Sequence, residues 1–342
     1  MVVFTMKILI VKLSAIGDIV HALPVAKDLK DCFPGCRITW VAEAAGASLL
    51  KNHPYIDEVL LFDKPRFKSL GGLVKHAPGF ISELKKRRFD LALDLQGLMK
   101  SALIARLSGA PERLVYENAR EGSHLLAKKV VGPNHGGHVV ELYRDVVRHL
   151  GCQLGPADFG LGEAVTGEAD RAAAILRHAG VAENVPYAVL ALGANWPNKI
   201  WPQRYFAAVA DKLSGQGIVP VAIGAVGDHK LYEELAAFTE VPPVDLTGKT
   251  NLQQLAAVIK KAVVFVGGDT GPMHMAAALG VKTICLMGPT DANRNGPYGQ
   301  PEHALEVPRD CAGCWKRACP KGLDCLDVLT PEQVWDKIFE QE

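Results

Sequence analysis

Nine short apolar runs recur along the chain, each continuous rather than alternating, and each is separated from the next by a helical period. KILIVKL (7–13), RITWVAEA (37–44), EVLLF (58–62), LALDLQ (91–96) and RLVY (113–116) occupy the first half. YAVLALG (187–193), IVPVAIG (218–224), VVFVGG (263–268) and KTICLMG (282–288) occupy the second. A strand with no polar alternation is buried on both faces, which is the condition of a parallel sheet covered by helices. Amphipathic stretches such as FAAVADKL (206–213), ELAAF (234–238) and LQQLAAVIKKA (252–262) supply the covering layers. Repeated strand–helix alternation specifies an α/β, doubly wound architecture. At 342 residues the chain is long enough for two such sheets. The weakly patterned, Gly-rich stretch GCQLGPADFGLGEAVTG (151–167) is the natural boundary, giving domains over 1–165 and 166–330. Ligands of open α/β sheets bind beyond the carboxyl ends of the strands, so the expected site is a cleft lined by those ends.

Composition narrows the function. A formal net charge of +1 argues against general nucleic-acid binding, which needs a basic excess. No run approaches the roughly 20 apolar residues of a membrane span. The apolar start MVVFTMKILIVKL lacks a basic n-region and a cleavage site, so it reads as a buried first strand rather than a signal peptide. Eight cysteines are too few for a disulfide scaffold of this length, and cytoplasm with reduced thiols is the expected compartment.

Two motifs end strands where chemistry is expected. In KLSAIGDIVHALP (12–24) a strand runs into a Ser/Gly turn, and Asp18 opens a helix that carries His21. An acid there is a good N-cap and is favoured by the helix dipole; the sharper reading is a general base at the mouth of the cleft. In VVFVGGDTGPMHMAAALG (263–280), Gly267 and Gly268 let the backbone approach a ligand, and Gly271–Pro272 begin a helix whose free N–H groups form an anion site. The plain alternative is a helix-starting turn. The Lys and Ser/Thr of a P-loop are missing, and no G-x-G-x-x-G follows the first strand, which disfavours nucleoside triphosphate and nicotinamide chemistry. Asp269 is the oddity, an acid in a loop built for an anion; the expected role is to accept backbone N–H bonds and hold the loop's shape.

Lys199, in LGANWPNKIWP (192–202), sits in a stiffened loop suited to placing a point charge on a phosphate, although a lone loop lysine is usually only solvated. Arg66 and Lys68 flank Phe67 in DKPRFKSLGG, and KKRR (85–88) ends a helix. Such cations are ordinarily a solvated face; the alternative is a grip on an anionic acceptor or an anionic lipid surface. No D-x-D occurs, so a metal-held nucleotide diphosphate is not indicated. Cys311-x2-Cys314-x4-Cys319-x5-Cys325 offers enough ligands for a tetrahedral structural zinc, with free thiols in a packed loop as the competing reading.

Together these residues resemble the heptosyltransferases of glycosyltransferase family 9. KLSAIGDIVHALP, LDLQGLMKSA, NARE, the Lys199 loop, GDTGPMHMAAALG and GPTD lie in the family's order and span nearly the whole chain. The resemblance is strongest to the type I members, which move heptose from ADP-heptose to the Kdo-lipid A inner core of lipopolysaccharide. It implies a GT-B fold, with two Rossmann-like domains facing a central cleft, acceptor in the first, nucleotide sugar in the second, and no catalytic metal or other cofactor. It implies further that a last helix, within 331–342, packs back on the first domain. Asp18 would be the general base of an inverting transfer. Asn195, Lys199, Asp269, Thr270, Gly271 and His274 would hold the donor, with Asn195 standing where type I enzymes often have hydroxyl-bearing residues. Arg66, Lys68, Lys100, Ser101 and Arg120 would handle the anionic acceptor at the inner face of the cytoplasmic membrane. Alternatives with the same fold are another nucleotide-sugar donor, or a hydrolysing nucleotide-sugar epimerase. An interaction module organised around the cysteines leaves both strand-end motifs unused.

Overall fold

The computed structural model describes residues 5–340; positions 1–4, at the apolar start, and 341–342, at the end of the expected last helix, lie outside them. The chain divides into two compact units, Met1–Ala164 and Val165–Glu342.

All nine expected strands form, and three more join them. The first unit contains β1 (Lys7–Val11), β2 (Arg37–Ala42), β3 (Glu58–Leu61), β4 (Leu91–Asp94), β5 (Glu112–Val115) and β6 (Lys128–Lys129). The second contains β7 (Tyr187–Ala191), β8 (Val219–Ile223), β9 (Val244–Asp245), β10 (Val264–Gly268), β11 (Thr283–Met287) and β12 (Ala304–Glu306). The unforeseen β6, β9 and β12 are edge strands of two or three residues, too short to show an apolar run.

Each unit is one six-stranded sheet, ordered β3-β2-β1-β4-β5-β6 and β9-β8-β7-β10-β11-β12. Every pairing is parallel, with Ile8 opposite Ile38 and Leu91, and Val266 opposite Leu190 and Ile284. The orders are the same: each unit starts in the middle of its sheet, winds outward, then returns to wind the other way. The turning points fall between β1 and β4 and between β7 and β10, where doubly wound sheets open a crevice for ligand.

The central strands explain their own composition. Ile8 to Val11 of β1 and Phe265 and Val266 of β10 are fully buried because helices cover both faces of each sheet. On one face of the first sheet, Leu9, Val11, Val41 and Ala92 pack with Leu84, Phe89 and Ile104. In the second unit, Leu190, Val266, Ile284 and Leu286 pack with Trp201, Phe206, Leu213 and the segment from Leu326 onward. The last helix, Pro331–Phe339, belongs to this second core: Val334 and Ile338 are buried in it, and the helix lies against Gln203–Gly215. The apolar stripe at 334 and 338 is thus covered within its own unit.

The expectation of reduced thiols throughout is also corrected. Cys32, at the end of the helix Ile16–Cys32, is disulfide-bonded to Cys152, just beyond the helix Val139–Arg148. These two helices pack side by side, which brings residues 120 apart in sequence together. No helix among the described residues is long and apolar enough to cross a membrane.

Candidate active site

Both strand-end motifs lie at the turning points of their sheets. In the first unit β1 gives way to a turn whose Ser14–Ala15 peptide is cis, and then to the helix Ile16–Cys32. Asp18 is not the N-cap but stands in the first turn. Its carboxylate reaches back to accept the Ala15 N–H at 3.2 Å, which satisfies one of the four donors a helix start leaves open. Its side chain remains 40% exposed, open to a substrate.

Behind it lies a charge that the sequence reading passed over. Lys12 is 1% exposed, its Nζ donates to the Tyr143 hydroxyl at 2.8 Å, and it lies 5.0 Å from the centre of that ring. The same ammonium is 3.8 Å from Asp18 Oδ2. A buried ammonium needs an anionic partner, and Asp18 and the buried Asp94 are the carboxylates facing it.

Asp94 ends β4 across the crevice. Its Oδ1 accepts the Gln96 and Gly97 N–H groups at 3.0 and 2.9 Å, and its Oδ2 accepts the Ser101 hydroxyl at 3.0 Å. Burial nonetheless pushes its carboxyl up to about 6, outweighing these donors and Lys12. The Gln96 carboxamide oxygen accepts the N–H groups of Leu13 and Ser14 at 3.0 and 3.1 Å, tying the β4 loop to the Asp18 turn.

The basic candidates of the first unit share this sheet edge but not one contact set. Lys100 pairs with Glu43 at 2.9 Å, and Glu43 is also 3.6 Å from Lys64. Arg66 pairs with Asp63 at 2.7 Å, and Lys68 is exposed. Arg120 is exposed, and its backbone N–H donates to the Gly97 carbonyl at 2.7 Å. Ser101 is fully buried, with its hydroxyl engaged by Asp94 and the Leu98 carbonyl. These bonds tie the start of the helix Met99–Leu107 to the end of β4.

In the second unit the acid that looked misplaced is the hub. Asp269 is buried directly after β10. Its Oδ2 accepts Lys199 Nζ at 2.6 Å and the Thr290 hydroxyl at 2.7 Å, and its Oδ1 lies 2.8 Å from His274 Nε2. Where backbone donors were expected, three side chains serve it: two from the loops after β7 and β11, and one from the helix Gly271–Ala278. Burial alone would raise this carboxyl; His274 and Lys199 more than offset it and hold it well below the usual carboxylate range. Thr290, from the GPTD motif, was not singled out by sequence because it looks like an ordinary turn residue.

Lys199 is thereby fixed, with its ammonium 4.7 Å from the centre of the Trp196 ring. Its backbone carbonyl would sit 2.4 Å from a Cβ at Gly268, which is why that position has none. The helix Gly271–Ala278 starts here with Pro272 in its first turn, and the Thr270 hydroxyl is buried without a hydrogen-bond partner among the described residues. Asn195 is exposed, and its carbonyl accepts from Arg317 at 3.2 Å. The buried amide of this loop is Asn198, which donates to the Lys316 carbonyl at 2.7 Å. Asp228, beyond β8, was also missed. Its carboxylate fills the space a Cβ at Gly193 would need, 2.2 Å away, and accepts the Ala225 N–H at 2.7 Å.

The four C-terminal cysteines lie in the loop that buttresses these elements. Gly313 N–H donates to the Gly288 carbonyl at 2.9 Å and Trp315 N–H to the Pro289 carbonyl at 2.7 Å. Among the described residues no three His, Cys, Asp or Glu side chains gather in a way that could hold a metal ion. Cys311, Cys314, Cys319 and Cys325 are free thiols, none of them fully buried, and the charges of the other three act on the Cys325 thiol.

Comparison with known proteins finds relatives over nearly the whole chain. The sequence profile of glycosyltransferase family 9 (heptosyltransferase) matches residues 79–323. The lipopolysaccharide heptosyltransferase 1 of Pseudomonas aeruginosa is 31% identical over 324 residues, 92% of this chain and 87% of the relative. The E. coli heptosyltransferase WaaC, solved with ADP, superposes with a TM-score of 0.78 at 25% identity, covering 97% of this chain and 99% of that one. The glycosyl transferase family 9 protein of Veillonella parvula shares the fold with a TM-score of 0.84 at 23% identity, over 100% and 99% of the two chains.

Proposed function

Because the chain belongs to glycosyltransferase family 9, the heptosyltransferases, we propose that it transfers heptose from ADP-heptose to the Kdo-lipid A inner core of lipopolysaccharide. The observation that carries this reading is the Lys199–Asp269–His274–Thr290 constellation at the turning point of the second sheet. It fixes one cation beside a helix N-terminus, the arrangement that receives a diphosphate without metal.

Asp18 accepts the proton of the acceptor hydroxyl as that oxygen attacks the anomeric carbon. The bond from that carbon to the diphosphate breaks, ADP departs, and configuration inverts. Lys199, the Thr270–Gly271 backbone and the Thr270 hydroxyl stabilise the charge that builds on the diphosphate. Asp269 and His274 hold Lys199 and the loop rather than touch the anion. Asp228, at the end of the second strand of its sheet, occupies the position from which Rossmann-like folds grip ribose hydroxyls. In the first unit Lys100, Arg120, Arg66 and Lys68 meet the anionic acceptor, which is presented at the inner face of the cytoplasmic membrane.

The test is Asp18→Asn. Transfer from ADP-heptose to Kdo-lipid A should fall by about 10²–10⁴-fold, the usual contribution of a positioned base, with ADP affinity unchanged. Retained turnover at saturating donor would refute the assignment. Release of free sugar without acceptor, at a rate matching transfer, would instead favour a hydrolysing enzyme.

A further inference from the structure

The helix Leu70–Lys86 is secured on one side only. Phe67, in the turn before it, stacks on Phe62 at 4.7 Å, and Phe80 meets both rings edge-on at 5.8 and 5.5 Å. Phe80 and Leu84 thus hold the helix to the first unit's core. The start of the helix points elsewhere: Leu70 is 80% exposed, Val74 72% and Leu73 44%, with Leu61 of β3 at 48%. Positions 70, 73 and 74 lie on one helical face. The neighbouring helix Met99–Leu107 contacts this one and exposes Leu103 and Leu107 as well.

Charge along this segment is predominantly positive. From Lys64 to Ser82 the chain carries Lys64, Arg66, Lys68 and Lys75 and no acid, although the whole protein is nearly neutral. All four cations are exposed. The pairs Arg66–Asp63 and Lys64–Glu43 lie at the surface, where such a pair contributes about 0–1 kcal/mol and exchanges readily for another anion. Leucine and valine flanked by lysine on a surface helix is the pattern of a segment that lies in a membrane interface, apolar side chains in the acyl boundary and cations among the headgroups.

We infer that the helix face formed by Leu70, Leu73 and Val74, with Lys68 and Lys75 beside it, docks on an anionic phospholipid bilayer. The inference rests on the reading that the acceptor is a membrane lipid, and it names the surface that brings the enzyme to it. A protein partner would ordinarily answer a basic rim with acidic side chains of its own. A bilayer of anionic headgroups answers the rim and the apolar centre at once.

The experiment is flotation of the full chain with vesicles of phosphatidylcholine alone and of phosphatidylcholine mixed with phosphatidylglycerol. The wild type should float with the mixed vesicles and not with the neutral ones, and added salt should release it. Leu70→Ser/Val74→Ser and, separately, Lys75→Glu should each weaken partitioning about tenfold or more. Their melting temperatures and ADP affinity should stay at wild-type values, since none of these side chains is buried. Equal flotation with both vesicle types, or wild-type flotation of Leu70→Ser/Val74→Ser, would overturn the inference. A concentration-dependent dimer that Leu70→Ser/Val74→Ser abolishes, without vesicle binding, would also overturn it and assign the face to a second copy. Transfer to a de-acylated, water-soluble acceptor separates the two ideas: its loss in wild type refutes the heptosyltransferase reading, whereas loss of flotation with transfer intact refutes only this one.

Discussion

The arrangement at Asp269 can be tested by a double-mutant cycle on its pair with Lys199. The two charges are 2.6 Å apart and both side chains are largely buried. Coulomb's law at an effective dielectric near 20 gives a gross attraction of about 6 kcal/mol, much of it offset by desolvation. Removing one partner leaves the other buried and unanswered, at a typical cost of about 3–5 kcal/mol. For Lys199→Met the lower end applies, because His274 and Thr290 still serve the carboxylate. In a unit of this size that corresponds to a fall in melting temperature of roughly 6–12 °C. Asp269→Asn keeps the shape but removes the charge that holds the ammonium. The double variant should be less destabilised than the sum of the two singles, with a coupling of about 2–3 kcal/mol. Denaturant unfolding of the four proteins, followed by tryptophan fluorescence, to which Trp196 and Trp201 beside the site contribute, gives the cycle, and ADP titration on the same samples gives its functional counterpart. If Asp269 is the holder, Asp269→Asn weakens ADP binding although it removes a negative charge from an anion site. Additive stabilities, or tighter ADP binding in Asp269→Asn, would refute the reasoning.

Three further outcomes follow from the same geometry. Asp94 is raised from an ordinary 3.8 to about 6, so the folded protein holds this proton more firmly than the unfolded chain. Its contribution is complete below the ordinary value and is lost as pH rises through about 6, a change of roughly 3 kcal/mol; Asp94→Asn should flatten that limb of a stability–pH curve, and an unchanged slope would refute the burial argument. Asp269 has the opposite sign, its stabilisation present above the ordinary value and lost as pH falls below it, so acid unfolding of Asp269→Asn should be shallower than that of wild type. Reduction of the Cys32–Cys152 bond, or Cys152→Ser, should cost the first unit about 2–4 kcal/mol by releasing a loop of more than a hundred residues in the unfolded chain. Equal unfolding midpoints with and without reductant would count against the bond.

The fold was legible because its strongest physical requirement is local. A strand buried on both faces must be apolar at every position, so KILIV and VFVGG announce themselves without any partner. Strands of two or three residues, such as Lys128–Lys129 and Val244–Asp245, carry no such signal, since pairing with β5 and β8 makes them. The two strand-end motifs were legible for a related reason: glycine where backbones touch and an acid in the first turn of a helix are requirements of one loop. What that loop's side chains bond to is another matter. Asp269 reads from sequence as a turn acid; His274 is a near neighbour in the chain, but only the approach of β7 and β11 to β10 brings Lys199 and Thr290 to it. Lys12 reads as the polar end of a strand, and only the helix carrying Tyr143 and the turn carrying Asp18 make it a buried charge. The cysteines at 311–325 have the spacing of a ligand set, and only the fold of their loop brings the other three within electrostatic reach of Cys325.

Sequence alone therefore determined the class of the fold, the two sheets and the turns that end their central strands, because burial and backbone conformation are properties that a short segment must satisfy by itself. The tertiary structure decided which charges meet, which of them are withdrawn from water, that Cys32 finds Cys152, and that the last helix serves the second core. Those outcomes depend on distances between segments far apart in the chain, and a charge changes its meaning with whatever the fold places within a few ångströms of it.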